Sequence, residues 1–294
     1  MNGERLDLGR VGVWTNHLDT FPIAVALQAA VELEDLGCPA LWLTETTGRE
    51  ALTQASIVLG ATRRMTVATG VATIYGRDPV TMAQAQRTLA EAHPGRFLLG
   101  LGVSHPWFVE EVRGQVFGKR VPSMRSYLDR MDTASFGPPD GGKEAPRVIG
   151  AVGPRMLALA AERTDGAFPF CVPVEHTRRT RELMGPDAFL AVEQAVVLTS
   201  DRERARALAR SYIAASLPNR GPVLADLGYR LELDGPAGDR LVEALVVWGG
   251  LAEIEARAQE HLAAGADHVC LYVIGAPSDR PPLPEWRALA PLFG

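Results

Sequence analysis

Two hydrophobic periods alternate along this chain. Short apolar runs of strand length fall at residues 11–14, 40–45, 65–71, 147–150, 166–170, 189–198 and 268–274, and another opens the stretch 97–105. Runs that are apolar at consecutive positions read as strands buried on both faces. Between them lie stretches with helical periodicity, at 23–36, 51–62, 79–92, 154–163, 175–184, 201–215 and 251–264. Gly37 closes the first of these, and Pro79 suits the first turn of the third. Strands that alternate with helices over short connections predict a parallel sheet.

The alternation loosens in two places. Residues 106–146 hold one predicted helix, at 123–134, and reach a Gly- and Pro-rich loop at 136–142, mobile by composition. Residues 217–248 read as irregular with a short helix at 239–245, and 282–293 read as a tail. Eight strand–helix units predict a single (β/α)8 TIM barrel over 1–294, with insertions after strands four and seven at about 106–146 and 217–248. A doubly wound open sheet is the competing fold. The count of eight strands and the lack of an opening Gly-rich dinucleotide fingerprint favour the barrel.

Composition narrows the function. At 294 residues, 47% apolar and 22% charged, the chain has the make-up of a soluble globular protein able to bury a large core. A net charge of -5 with no basic patch argues against nucleic acid as a partner. Cys38, Cys171 and Cys270 are scattered, without the spacing of a zinc site or a disulfide framework, so no metal is expected. The opening residues lack an apolar signal core and no apolar stretch is long enough for a bilayer. The expectation is a cytoplasmic enzyme of a small molecule, without a membrane partner.

Chemistry is expected where strands end, because barrel enzymes place their working groups at the C-terminal face. Ser104 and His105 end the stretch 97–105 after Gly100 and Gly102. Glu45 ends the second strand between Thr44 and Thr46, where a carboxylate can hold a ligand or move a proton. Gly153-Pro154-Arg155-Met156 follows the fifth strand and opens a helix, an arrangement that offers unpaired amides and a positive charge to a phosphate. Gly70 sits within the third strand, and a glycine there marks a bulge or close approach by a ligand, beside the plainer reading of a βα loop. Trp14 and His17 flank the end of the first strand; with Trp107 and Trp248 they are candidate substrate contacts. His176 and His268 lie nearer helix and strand starts and read as structural. Ser104 beside His105 suggests a hydrolase only weakly, since no GxSxG elbow is present.

Taken together, Gly12-Val13-Trp14, Leu41-Trp42-Leu43-Thr44-Glu45, Ala68-Thr69-Gly70-Val71, Tyr75-Gly76-Arg77-Asp78-Pro79, 96–105, Gly153-Pro154-Arg155-Met156-Leu157 and 264–269 resemble the luciferase-like monooxygenase superfamily. More closely they resemble its actinobacterial branch of oxidoreductases that use the deazaflavin coenzyme F420. The resemblance implies a barrel holding the cofactor ring at its strand ends, a non-proline cis peptide at Gly70-Val71, and a cofactor phosphate at Gly153 to Met156. It groups Gly70, Val71, Ala72, Val103, Ser104, Ala151 and Val152 around that cofactor. Glu45 falls where many relatives carry an aspartate that contacts the deazaflavin, and His105 where sugar-phosphate dehydrogenases of the group carry a glutamate proton donor. Those dehydrogenases have a histidine after the strand-two acid, whereas Thr46 stands here, which argues against the same substrate. The implied activity is hydride transfer between the deazaflavin and a small carbonyl or activated double bond, with His105 and Glu45 catalytic. An FMN-dependent monooxygenase and a non-catalytic cofactor-binding protein are the alternatives. The family commonly forms homodimers, and one is expected.

Overall fold

The computed structural model describes residues 7–138 and 145–294. Strands β1 (Val11–Thr15), β2 (Ala40–Leu43), β3 (Thr66–Thr69), β4 (Ala72–Thr73), β5 (Phe97–Gly102), β6 (Arg147–Ile149), β7 (Gly166–Ala167), β8 (Phe189–Leu198), β9 (Val246–Gly249) and β10 (His268–Val273) are all parallel to their neighbours. Around the ring β1, β2, β3, β5, β6, β7 and β8 follow one another, and β10 pairs with both β8 and β1, which closes the barrel. The α-helices are α1 (Ile23–Asp35), α2 (Ala51–Ala61), α3 (Pro79–Ala92), α4 (Arg120–Asp132), α5 (Pro154–Arg163), α6 (Val174–Met184), α7 (Arg202–Asp226), α8 (Gly235–Leu245), α9 (Leu251–Ala263) and α10 (Leu283–Leu289), with three shorter helical segments at His17–Thr20, Phe108–Val112 and Ala290–Leu292. The eight-stranded TIM barrel read from the alternation is the fold.

Every residue of β2, β3 and β5 is buried, as continuous apolar strands require when both faces are covered. Leu33, Met65 and Met82 belong to the layer packed between sheet and helices. Trp42, Phe168 and Phe189 fill the barrel, with the Trp42 and Phe168 rings stacked at 4.5 Å. His268 is structural, as expected. Its Nδ1–H donates to the Gly9 carbonyl at 2.7 Å while its Nε2 accepts the Trp42 indole N–H at 3.3 Å, and burial lowers its pKa to about 4.

Three readings change. The stretch 217–248 is not irregular: α7 continues through Pro218 and Pro222 to Asp226, and α8 leads into β9 on the outer edge of β8. Proline disfavours a helix interior locally, but tertiary contacts hold this one, with Arg220 Nε donating to the Phe170 carbonyl at 2.6 Å and Arg210 reaching the Leu233 carbonyl and Asp239. Residues 282–293 are not a loose tail, since α10 buries Trp286 and Leu289. Within 106–138, α4 starts at Arg120, three residues earlier than its periodicity predicts. Of the predicted loop at 136–142, residues 139–142 lie outside the described residues.

The third strand is interrupted where the site will form. Between the pairs Ala68↔Leu98 and Ala72↔Leu101, the β3–β4 side advances four residues while β5 advances three. The extra residue makes a bulge. The Thr69 hydroxyl serves the backbone of Gly100 there, donating to its carbonyl and accepting its N–H, each at 2.8 Å. The Gly70–Val71 peptide is cis, as the resemblance implies. Val71 is seated among glycines. A Cβ on Gly102 would stand 2.3 Å from Val71 Cγ2, one on Gly150 3.0 Å from Val71 Cγ1, and one on Gly100 1.9 Å from the Thr69 carbonyl oxygen.

Inside the barrel, β8 carries a fully buried acid. Glu193 accepts the Cys171 N–H at 2.8 Å and the Tyr212 hydroxyl at 3.1 Å, and burial pushes its pKa up from 4.5 to about 7. Between these two values the folded protein retains a proton that the unfolded chain has released, so raising the pH across this window destabilises the fold. Urea unfolding should therefore show stability falling from about pH 4.5 to about pH 7. Glu193→Gln should flatten that slope; an unchanged slope would remove Glu193 as its source.

The glycine seat is also testable by unfolding. Gly102→Ala should cost about 1–3 kcal/mol by overpacking. Combined with Val71→Ala it should cost less than the two single changes added together, by a coupling of roughly 0.5–3 kcal/mol. Gly100→Ala meets backbone, so Val71→Ala should bring it no relief.

Candidate active site

At the C-terminal end of the barrel the strand ends enclose a cavity of about 570 Å³. Its floor is Trp14, Gly70, Val71, Phe168 and Phe170. The Trp14 indole N–H donates to the Gly70 carbonyl, and its ring meets Phe170 edge-on at 4.8 Å and Tyr272 at 4.6 Å. A Cβ on Gly70 would lie 2.8 Å from Trp14 Cδ1, so only glycine lets the indole close on the bulge.

One wall is Val103, Ser104 and His105, which follow β5. Ser104 adopts φ 59°, a left-handed conformation uncommon outside glycine, which turns the chain at the end of the strand. The His105 imidazole is half-buried, with Asn219 also lining the cavity. Its pKa is lowered, first by desolvation and then by the charge of Arg220 and, further, Arg120, against the opposing effect of Asn219. This favours the neutral ring.

The opposite wall is Ala151, Val152 and Gly153, running into Pro154, Arg155 and Met156 of α5. No side chain caps this helix, and a Cβ at Gly153 would meet open space. The loop is fixed from behind. His176 donates from Nε2 to the Val152 carbonyl at 2.8 Å while its Nδ1 faces the Thr180 hydroxyl at 3.2 Å, and burial lowers the ring's pKa. Its expected structural role is thus bracing the cavity wall.

Glu45 reaches the cavity with Thr44 and Thr46, but its carboxylate is engaged elsewhere. It accepts the Thr73 N–H at 2.7 Å and pairs with Arg77, which also pairs with Glu50. These contacts tie the loop after β2 to the segment that follows the bulge. Of the remaining candidates, Trp107 stands at the rim, 49% exposed. Three lie outside the cavity. Ala72 points away because strand alternation turns it opposite to Val71. His17 follows β1 in a short helical turn and binds the Val273 carbonyl at 3.0 Å. Trp248 lies on β9, outside the ring.

Sequence reasoning expected insertions after strands four and seven but named no residue of the roof they form. Arg120 and Val121 from the start of α4, and Asn219, Arg220, Pro222 and Val223 from α7, cover the cavity. The available signal was position: both segments follow strand C-terminal ends, where barrel loops carry function. Arg120, Arg155 and Arg220 have no carboxylate within ion-pair distance among the described residues. With Glu45 matched by Arg77, the cavity carries uncompensated positive charge over a flat, largely apolar floor. Such a site suits a planar ligand with anionic groups. No helix among the described residues is long and apolar enough to cross a membrane.

Known proteins share this architecture. A Mycobacterium tuberculosis protein named for coenzyme F420-dependent oxidoreduction is 29% identical over 236 residues, which cover 64% of this chain and 66% of that relative. The structure of an F420-dependent secondary alcohol dehydrogenase with an F420-acetone adduct superimposes with a TM-score of 0.75 at 17% identity, covering 96% of each chain. The oxygenating component of a 3,6-diketocamphane monooxygenase from Pseudomonas putida, in complex with FMN, gives 0.70 at 15% identity, again over 96% of each chain. The family model for luciferase-like monooxygenases matches residues 4–268, and the chain belongs to that family.

Proposed function

We propose that this chain is an oxidoreductase that transfers a hydride between the deazaflavin coenzyme F420 and a small organic substrate, a carbonyl or an activated double bond. The observation that carries the reading is the joining, in one cavity, of an uncapped helix start at Gly153 to the Trp14–Val71 floor and the His105 wall. The site fits the cofactor on its own evidence. The first turn of α5 offers unpaired backbone donors and the unpaired Arg155 guanidinium to a phosphate, and the open space at Gly153 lets that phosphate approach the backbone. Trp14, Val71 and Phe170 present an apolar surface to a ring.

When bound, the deazaflavin supplies the redox chemistry; the chain orients it and handles the proton. His105 is the side chain assigned to that proton. With its pKa lowered by desolvation and by Arg220, its ring accepts a proton from an alcohol in the oxidative direction and returns it in the reductive one. Glu45, bound to Arg77 and Thr73, is a positioning residue that sets the loops around the ring. The family relative named for coenzyme F420 supports the deazaflavin over FMN.

Fluorescence titration should give tighter binding of coenzyme F420 than of FMN. Tight FMN binding without affinity for the deazaflavin would overturn the reading. With a good substrate, His105→Ala should lower turnover by about 10²–10⁴-fold, the usual contribution of a general acid or base, and leave cofactor affinity nearly unchanged. Glu45→Gln should do the reverse, weakening the cofactor more than the chemical step. Full turnover in His105→Ala would move the proton to water.

A further inference from the structure

Arg220 is a partly buried cation that the proposed chemistry does not use. It sits on α7 in the roof, and its Nε donates to the Phe170 carbonyl at 2.6 Å, which fixes the guanidinium plane. Among the described residues its two Nη groups have no hydrogen-bond partner and no carboxylate lies within ion-pair distance. The charge of Glu193 reaches it, but that carboxyl group is held by the Cys171 N–H and the Tyr212 hydroxyl instead. Arg120 lies close enough to raise the cost of its charge further, and is itself directed over the Phe117 ring at 5.5 Å. Two guanidiniums beside a neutral imidazole, in partly desolvated surroundings, form an arrangement that an oxyanion stabilises and a neutral ligand does not.

We infer that Arg220, with Arg120 beside it, forms a subsite for a carboxylate on the substrate, so that this enzyme acts on small organic acids. The inference rests on the reading of the cavity as a deazaflavin site and names its substrate class. The guanidinium offers two free Nη groups in one plane, the match for a carboxylate held by two parallel hydrogen bonds. Position separates this subsite from the one assigned to the cofactor's phosphate. Arg220 is anchored to Phe170, whose ring touches Trp14 in the floor, whereas Arg155 and the α5 start lie on the other wall. A carboxylate on Arg220 also sets the rest of the substrate beside His105, the side chain assigned to the proton.

The test is calorimetric titration of the protein–coenzyme F420 complex with acetate, crotonate and benzoate, each against its amide. At least one acid should bind 10-fold or more tightly than its amide. Arg220→Gln should abolish that preference and Arg220→Lys should retain part of it, with affinity for coenzyme F420 changed less than about twofold in both. Equal binding of every acid and its amide to the unmodified complex, or no binding by any acid, would overturn the inference without reference to a variant. A second arm compares coenzyme F420 with the same deazaflavin lacking its phosphate and glutamate tail. If Arg220→Gln weakened only the intact cofactor, Arg220 would hold the tail, and the inference would be wrong. Should the protein bind neither deazaflavin, the functional reading fails, and the acid–amide comparison on the free protein still decides whether Arg220 selects a carboxylate.

Discussion

The site depends on the fit of one valine among three glycines. Val71 projects toward the positions where Gly100, Gly102 and Gly150 would otherwise carry side chains. Its neighbour Gly70 lies under Trp14 so closely that a Cβ would collide with the indole. The bulge between β3 and β4 is therefore enclosed by backbone on one side and an aromatic ring on the other. Thr69 replaces part of the interrupted ladder with two hydrogen bonds to Gly100. From this bulge follow the flat floor, the direction of the loop that Arg77 ties to Glu45, and the room left above for a ring.

Charge organises the space above that floor. A barrel mouth with three arginines and no free carboxylate is stable because α7 and α4 are held by packing, not by ion pairs inside the cavity. The acids that are present serve the frame. Glu45 is neutralised by Arg77, and Glu193 is bound to a backbone amide and a tyrosine. The surplus of positive potential is thus available to a ligand, and after desolvation it is the second cause that favours the neutral form of His105. Binding of an anion and the protonation of His105 are coupled by the same electrostatics.

The barrel was legible because its signal is local. Runs such as Phe97–Gly102 are apolar at nearly every position, and a strand of that kind must have both faces covered whatever its neighbours are. Strand-end candidates on the inner walls, Ser104, His105 and Gly153 among them, followed from the same alternation. Ala72, His17 and Trp248 did not line the cavity, because a single residue of pleat, a helical turn and an outer-edge strand each carry a side chain away from it. Sequence spacing at a strand end does not resolve which way the last side chain faces once a bulge has shifted the register.

By itself the sequence determined the eight-fold alternation of barrel strands with helices, the anion-ready helix start and the histidine at the end of β5, all of which rest on periodicity and on the chemistry of adjacent residues. Tertiary structure decided what lies over the site. The helix α7 passes through Pro218 and Pro222 because contacts with Phe170 and the segment around Leu233 outweigh the local cost of proline. That continuation brings Arg220 over Trp14, residues more than two hundred positions apart in sequence, and no local pattern encodes such a meeting. It also decided that Glu45 faces Arg77, since the pairing of a carboxylate depends on which loops the closed barrel sets side by side.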